Sequence, residues 1–224
     1  MIEYTLARSK RKTVALYVRY GRVEVRAPLA MPKPEIDRFV ASKEKWITDR
    51  LARSQDQSRR RESFGLNYGD TVPYRGKNYP IAAKSGNRIG FDDAAFFIPP
   101  GLTPERIKSA CVQIYRMLAG RDLPKRTLEF AKRMAVMPTA VKINGAAARW
   151  GSCSAKKSIN FSWRLVMADD AVIDYVVVHE LAHLIEMNHS ARFWAIVEGI
   201  LPDYGKRRDR LKELQKKLST ENWE

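Results

Sequence analysis

Residues 176–194 read V-V-V-H-E-L-A-H-L-I-E-M-N-H-S-A-R-F-W. The chain has three histidines, and all of them, His179, His183 and His189, fall inside this stretch. If residues 176–187 are helical, His179 and His183 stand at i and i+4, on one face and about 5–6 Å apart at Cβ. That separation suits two imidazoles binding one cation. Glu180 is rotated about 100° from His179, outside the pair but within reach of a water beside it. The pattern is H-E-x-x-H, two zinc ligands and a general base. Met187-Asn188 is the expected end of the helix, because asparagine tolerates the left-handed turn that reverses a chain. His189, just beyond, would supply a third ligand. The preceding run from Val172 to Val178 is apolar enough to be buried, where an unpaired polar group is costly. Three neutral imidazoles leave the fourth tetrahedral position open, as in catalytic rather than closed zinc sites.

The flanking sequence supplies supports for such a site. Asp169 or Asp170 can cap the helix, and Asp174 lies in its first turn, where the helix dipole favours an anion. Ser190 can cap a following helix bearing Phe193, Trp194, Val197 and Ile200, which would hold the third ligand. Pro202-Asp203-Tyr204 interrupts it before a final basic helix with Leu211, Leu214 and Leu218. Tyr204 is either a hydroxyl steadying an oxyanion or a buried structural ring, and Glu186 and Asp203 compete to support a ligand imidazole. Upstream, Ala140–Asn144 and Ser158–Ser162 read as strands around Arg149-Trp150-Gly151-Ser152-Cys153-Ser154.

With H-E-L-A-H followed by N-H-S-x-x-F-W, R-W-G-S-C upstream and P-D-Y downstream, the chain resembles the YgjP-like metallopeptidases, relatives of the SprT-like and WLM zinc proteases, over nearly its whole length. The resemblance implies an α+β, zincin-like catalytic domain with the active-site helix beside a small sheet, a zinc cofactor, and a peptide or protein substrate. It makes Arg149, Trp150, Gly151 and Ser152 one wall of the substrate cleft, holding an extended chain as an added strand. The competing role for that segment is a tight turn packed on the helix. The His183–His189 spacing equals that of the metzincins, but Glu186 replaces the turning glycine and no methionine follows Met187, so only the spacing is shared. Two other functions stay open: hydrolysis of a nucleotide phosphoanhydride, and a nucleic-acid-binding protein with a structural zinc, for which Cys153 is the candidate fourth ligand. SprT-like and WLM proteases act on protein attached to DNA, so the resemblance also implies substrates associated with nucleic acid.

Composition agrees with a globular chain. Its 224 residues are 45% hydrophobic, enough to bury a substantial core. No apolar run is long enough to cross a bilayer and the N-terminus lacks the order of a secretory signal, so a cytoplasmic location without membrane contact is expected. Two cysteines, Cys111 and Cys153, fit a reducing compartment. The net charge is +16 and the pI about 10.0, which favours polyanionic partners such as DNA or RNA. Residues 1–60 carry fifteen Lys/Arg against seven Asp/Glu, so such binding would begin at that end. No base-reading motif accompanies the charge, and oligomeric state is not legible.

Residues 1–28 alternate as a hairpin turning at Tyr20-Gly21. Pro32 and Pro34 open a helix carrying Ile36, Phe39, Val40, Trp46, Ile47 and Leu51 at helical spacing, which puts Trp46 in the core register. Ser54–Ser63 has no apolar residue and reads as a frayed helix end or a linker, a soft boundary between an N-terminal hairpin-and-helix subdomain (1–55) and the catalytic domain (65–224). Strands at Thr71–Arg75, Asn78–Ala83, Arg88–Gly90 and Ala95–Ile98 suggest a small antiparallel sheet. Thr103-Pro104 starts a helix with Cys111 on its apolar stripe, and a break is expected at Gly120 to Pro124.

Overall fold

The structure, a computed structural model, describes residues 2–19 and 21–223. The described chain divides into two compact units, one formed by residues up to Phe64 with Leu218–Asn222, the other by Gly65–Lys217 with Trp223.

In the first unit, β1 (Thr5–Ser9), β2 (Ala15–Arg19) and β3 (Arg22–Pro28) form a sheet in the order β1-β3-β2. The expected hairpin is the antiparallel pair β2–β3, with Leu16 opposite Val25, and β1 adds a parallel strand on the other side of β3. Gly21 adopts the left-handed φ of +71° that the turn requires; Tyr20 lies outside the described residues. Two helices follow, α1 (Lys33–Ser42) and α2 (Glu44–Glu62), where the sequence suggested one, because Lys43 leaves the helical region at φ −109°, ψ 11°. Val23, Val25 and Ala27 of β3 pack with Ile36, Val40 and Ile47 to form the core of this unit.

Trp46 departs from expectation. Ile47 takes the buried position and Trp46, one residue round the helix, is 42% exposed, with the Arg50 guanidinium 5.7 Å from its ring centre. The polar stretch from Ser54 is neither frayed nor a linker: α2 continues through it, supported by an Asp56–Arg60 ion pair of 2.9 Å at i, i+4 and by Gln57 Nε2 donating to the Ser219 carbonyl at 2.8 Å.

The second unit begins with β4 (Thr71–Tyr74), β5 (Lys77–Ala83), β6 (Gly90–Phe91) and β7 (Phe96–Ile98), in the order β4-β5-β7-β6. The sheet is mixed rather than antiparallel: β5 and β7 pair in parallel, and the short β6 is displaced to the edge. Helix α3 (Pro104–Arg133) runs unbroken through Pro124. Leu123 and Thr127, on either side of that proline, are buried, while Gly120, whose carbonyl the proline leaves unbonded, faces solvent. Packing outweighs the local penalty.

A second sheet, β8 (Ala140–Asn144), β9 (Gly151–Cys153) and β10 (Ser158–Ser162), has the order β8-β10-β9, with β8 parallel and β9 antiparallel to β10. A 3-10 turn at Trp163–Met167 leads into α4 (Asp170–Ala182), then α5 (Ala191–Ile200) and α6 (Tyr204–Leu218). Tyr115 of α3 stacks on Trp163 at 5.5 Å, and Trp223 meets both rings edge-on. The unit is α+β, and α4 lies between α3, α5 and strand β9.

Candidate metal centre

Helix α4 is rich in valine and isoleucine, poor intrinsic helix formers. Burial decides its conformation: Val172, Ile173, Tyr175, Val176, Val177, Val178, Leu181 and Ala182 are all core residues, so the helix is apolar on nearly every side. Asp169 is the N-cap, its Oδ1 accepting from the Val172 N–H at 3.1 Å. Around that end lies an ion-pair network: Asp170 with Arg75 and Arg126, Asp174 with Arg126, and Asp169 with Arg210.

The other end carries the histidines. The helix stops at Ala182, earlier than the expected Met187-Asn188, and His183 is its C-cap, still in the right-handed region at φ −66°. The i, i+4 relation with His179 therefore survives, and the two ring centres are 5.0 Å apart. The chain then turns back over Leu184–Asn188 and delivers His189 with its ring centre 5.0 Å from His179 and 4.8 Å from His183. The Nε2 atoms of His179 and His189 stand 3.0 Å apart. Two nitrogens at 2.0–2.1 Å from a tetrahedral zinc would be separated by about 3.3 Å, so the observed convergence fits a shared cation. His183 Nδ1 is 3.2 Å from the Glu186 carbonyl, which leaves its Nε2 for the cluster. One ligand atom from each of the three histidines lies within 4.8 Å of the others, and no fourth His, Cys, Asp or Glu among the described residues joins them.

Burial pushes the His179 imidazole down to about 3, with the neighbouring His183 and His189 adding to the effect, and burial also lowers His183. Both rings are therefore neutral with lone pairs free to ligate. The His179 Nδ1 atom is buried without a hydrogen-bond partner. Phe193, fully buried on α5, touches all three imidazoles with ring centres 4.6–4.9 Å away. Trp194 stacks on His189 at 5.8 Å, and Tyr204 stacks on Trp194 at 5.4 Å. Ser190 caps α5, accepting from Phe193 N–H, and so fixes these rings relative to His189.

Glu180 is 5% exposed. Its Oε2 is buried without a hydrogen-bond partner, and burial pushes its carboxyl up to about 7, opposed by the charge of Arg149. A base poised near neutrality is the expected state of a catalytic carboxylate.

The remaining residues singled out from the sequence fall into distinct places. Gly151 and Ser152 lie on β9, the edge strand beside α4, opposite Phe161 and Asn160 of β10, and the Trp150 carbonyl accepts from Ser162 N–H at 2.8 Å. Glu186 meets the His183 imidazole through its backbone carbonyl, while its carboxylate accepts from the Asn188 N–H. Asp203 pairs with Arg207 at 2.8 Å. The Tyr204 ring belongs to the stack behind His189. Cys153 is half-buried on β9, where burial and then the charge of Glu180 push its thiol up, and it stands apart from the three histidines. What sequence spacing did not disclose is that one phenylalanine packs against all three imidazoles; its place three residues after the Ser190 cap was the available signal.

A family model described as "YgjP-like, metallopeptidase domain" matches residues 12–214. The chain belongs to the YgjP-like metallopeptidase family. It is accordingly a hydrolase whose family implies a metal cofactor, and the three histidines on α4 and its return are a donor set of the right kind. No curated protein matches this YgjP-like chain. Two solved structures are similar over less than half of it: the metallopeptidase zymogen of Pyrococcus abyssi abylysin (21% identity, TM-score 0.38, covering 45% of this chain and 97% of that one) and that of Methanocaldococcus jannaschii jannalysin (21%, 0.37, 43% and 97%). No helix is long and apolar enough to cross a membrane among the described residues.

Proposed function

We propose that the chain is a zinc peptidase in which His179, His183 and His189 hold the metal and Glu180 is the general base. The observation that carries this reading is the convergence of three imidazoles on one point, two of them held neutral by burial, with no fourth described side chain to close it. A zinc ion held there would supply Lewis acidity, which would lower the pKa of a water toward about 7 and polarise a carbonyl. Glu180 takes a proton from the attacking water and returns it to the leaving amine. The outer edge of strand β9 offers backbone groups to an extended substrate. Tyr204 acts through Trp194 on His189 rather than on an oxyanion.

The finer reading is that the substrate is protein associated with nucleic acid. It is supported by the net charge of +16 and by the exposed Trp46, whose ring lies beside Arg50 and whose cavity of about 280 Å³ is shared with Leu16, Phe39 and Lys43.

The test is cleavage of an unfolded protein by zinc-loaded enzyme, with and without single-stranded and duplex DNA, beside Glu180→Gln. Cleavage that disappears in the variant is expected, with stimulation by DNA. Normal cleavage by Glu180→Gln would remove its role, and hydrolysis of nucleoside triphosphates in place of protein would transfer the site to the phosphoanhydride reaction.

A further inference from the structure

Gly151 occupies a position where its main chain does not call for glycine. Its φ is not in the left-handed region, unlike those of Gly21, Gly69, Gly76, Gly86 and Gly101, so alanine could adopt the same backbone. What excludes a side chain is Glu180. A Cβ at position 151 would stand 2.5 Å from Glu180 Oε1, 2.7 Å from Cγ and 2.8 Å from Cδ, and these three nearest atoms all belong to that one residue. The strand has little freedom to move away. Gly151 is in register with Phe161, the flanking Trp150 carbonyl accepts from Ser162 N–H, and Ser154 N–H donates to the Ser158 carbonyl at 2.9 Å. Nor can α4 retreat, since Val176, Val177 and Leu181 around Glu180 are buried in the core.

The carboxylate is thus held by shape. No hydrogen bond reaches Glu180 Oε2 among the described residues, so the surface it lies against sets its rotamer. We infer that Gly151 is a positioning residue whose missing side chain forms the seat of the Glu180 carboxylate. Any side chain at 151 displaces the carboxylate by about the overlap it creates, roughly 1 Å, and a misplacement of that size costs a catalytic group about a hundredfold in rate. The inference rests on Glu180 as the base and gives Gly151 a role different from touching substrate: a substrate contact would act on KM and act equally in the absence of Glu180.

The experiment is a two-by-two set: the parent protein, Gly151→Ala, Glu180→Ala and the double variant. Thermal melting comes first because it needs no activity. Gly151→Ala is expected to lower Tm by about 2–10 °C with Glu180 present, and by less than half as much once Glu180→Ala has emptied the seat. An equal loss in both backgrounds overturns the inference. Where Gly151→Ala fails to fold, the double variant is expected to fold; its failure as well overturns the inference. Zinc-loaded Gly151→Ala should then retain its metal-to-protein ratio and its KM while kcat falls about a hundredfold; an unchanged kcat, or a loss carried by KM, overturns it. If the parent protein cleaves nothing, the peptidase reading fails while the melting comparison still decides the seat.

Discussion

Replacing Glu180 by glutamine in metal-free protein isolates the cost of burying that carboxylate. Burial raises its pKa from 4.5 to about 7, a difference of about 3 kcal/mol between its two protonation states. The folded protein keeps the proton longer than the unfolded chain, so the stability linked to Glu180 is fully present below about pH 4.5 and is lost as pH rises through about 7. His179 works in the opposite sense. Its folded pKa is lowered from 6.5 to about 3, so the stability of its neutral form is present above 6.5 and lost as pH falls toward 3. Between 4.5 and 6.5 the two slopes oppose, and the parent protein should show little net dependence on pH from this pair. Glu180→Gln removes one slope and exposes the other. The Tm difference between variant and parent should grow across pH 4.5–7 by about 6–12 °C, at about 2–4 °C per kcal/mol for a chain of this size, and level off above. Scanning fluorimetry of chelator-treated protein from pH 4 to 9 reads this directly. A difference constant with pH would refute the burial argument.

His183→Ala should abolish stoichiometric metal binding and the accompanying rise in Tm, as measured by atomic absorption and melting; retained metal would remove His183 from the ligand set. Cys153→Ala should leave metal affinity within about threefold by competition with a chelator, because the thiol stands apart from the histidines; a much larger loss, tenfold or beyond, would restore it as a ligand. Arg149→Ala should move the acid limb of kcat/KM to higher pH, since the Arg149 charge is what holds the Glu180 carboxyl down; an unmoved limb would show that Arg149 does not face the base.

The clustering of the histidines was legible because three of them in eleven residues leave few ways to arrange them, and i, i+4 survives even though α4 ends at Ala182. The early end was not legible: nothing in Leu184–Met187 marks it locally. Periodicity could not tell Trp46 from Ile47, since both fit an apolar stripe at one-residue resolution, and the sheet chose the smaller side chain. The parallel β5–β7 pairing is a long-range choice with no local signature. Gly120 and Pro124 are real breaking signals that lose to the buried faces of Leu123 and Thr127 on the same helix. Gly151 entered the cleft wall through the family resemblance; a sequence shows which residue lacks a side chain, not whose space that leaves.

The capped end of α4 also bears on the candidate metal centre. From Asp169 to His183 the helix is a rod of about 20 Å, with its ion pairs at one end and its imidazoles at the other. A tilt of about 3° about the Asp169 cap would carry His183 roughly 1 Å sideways, a displacement large enough to cost catalysis heavily. The helix behaves as a lever arm whose pivot lies far from the chemistry. The buried side chains along the rod, together with the ion pairs of Arg75, Arg126, Arg207 and Arg210 at its capped end, therefore hold the histidine cluster from a distance.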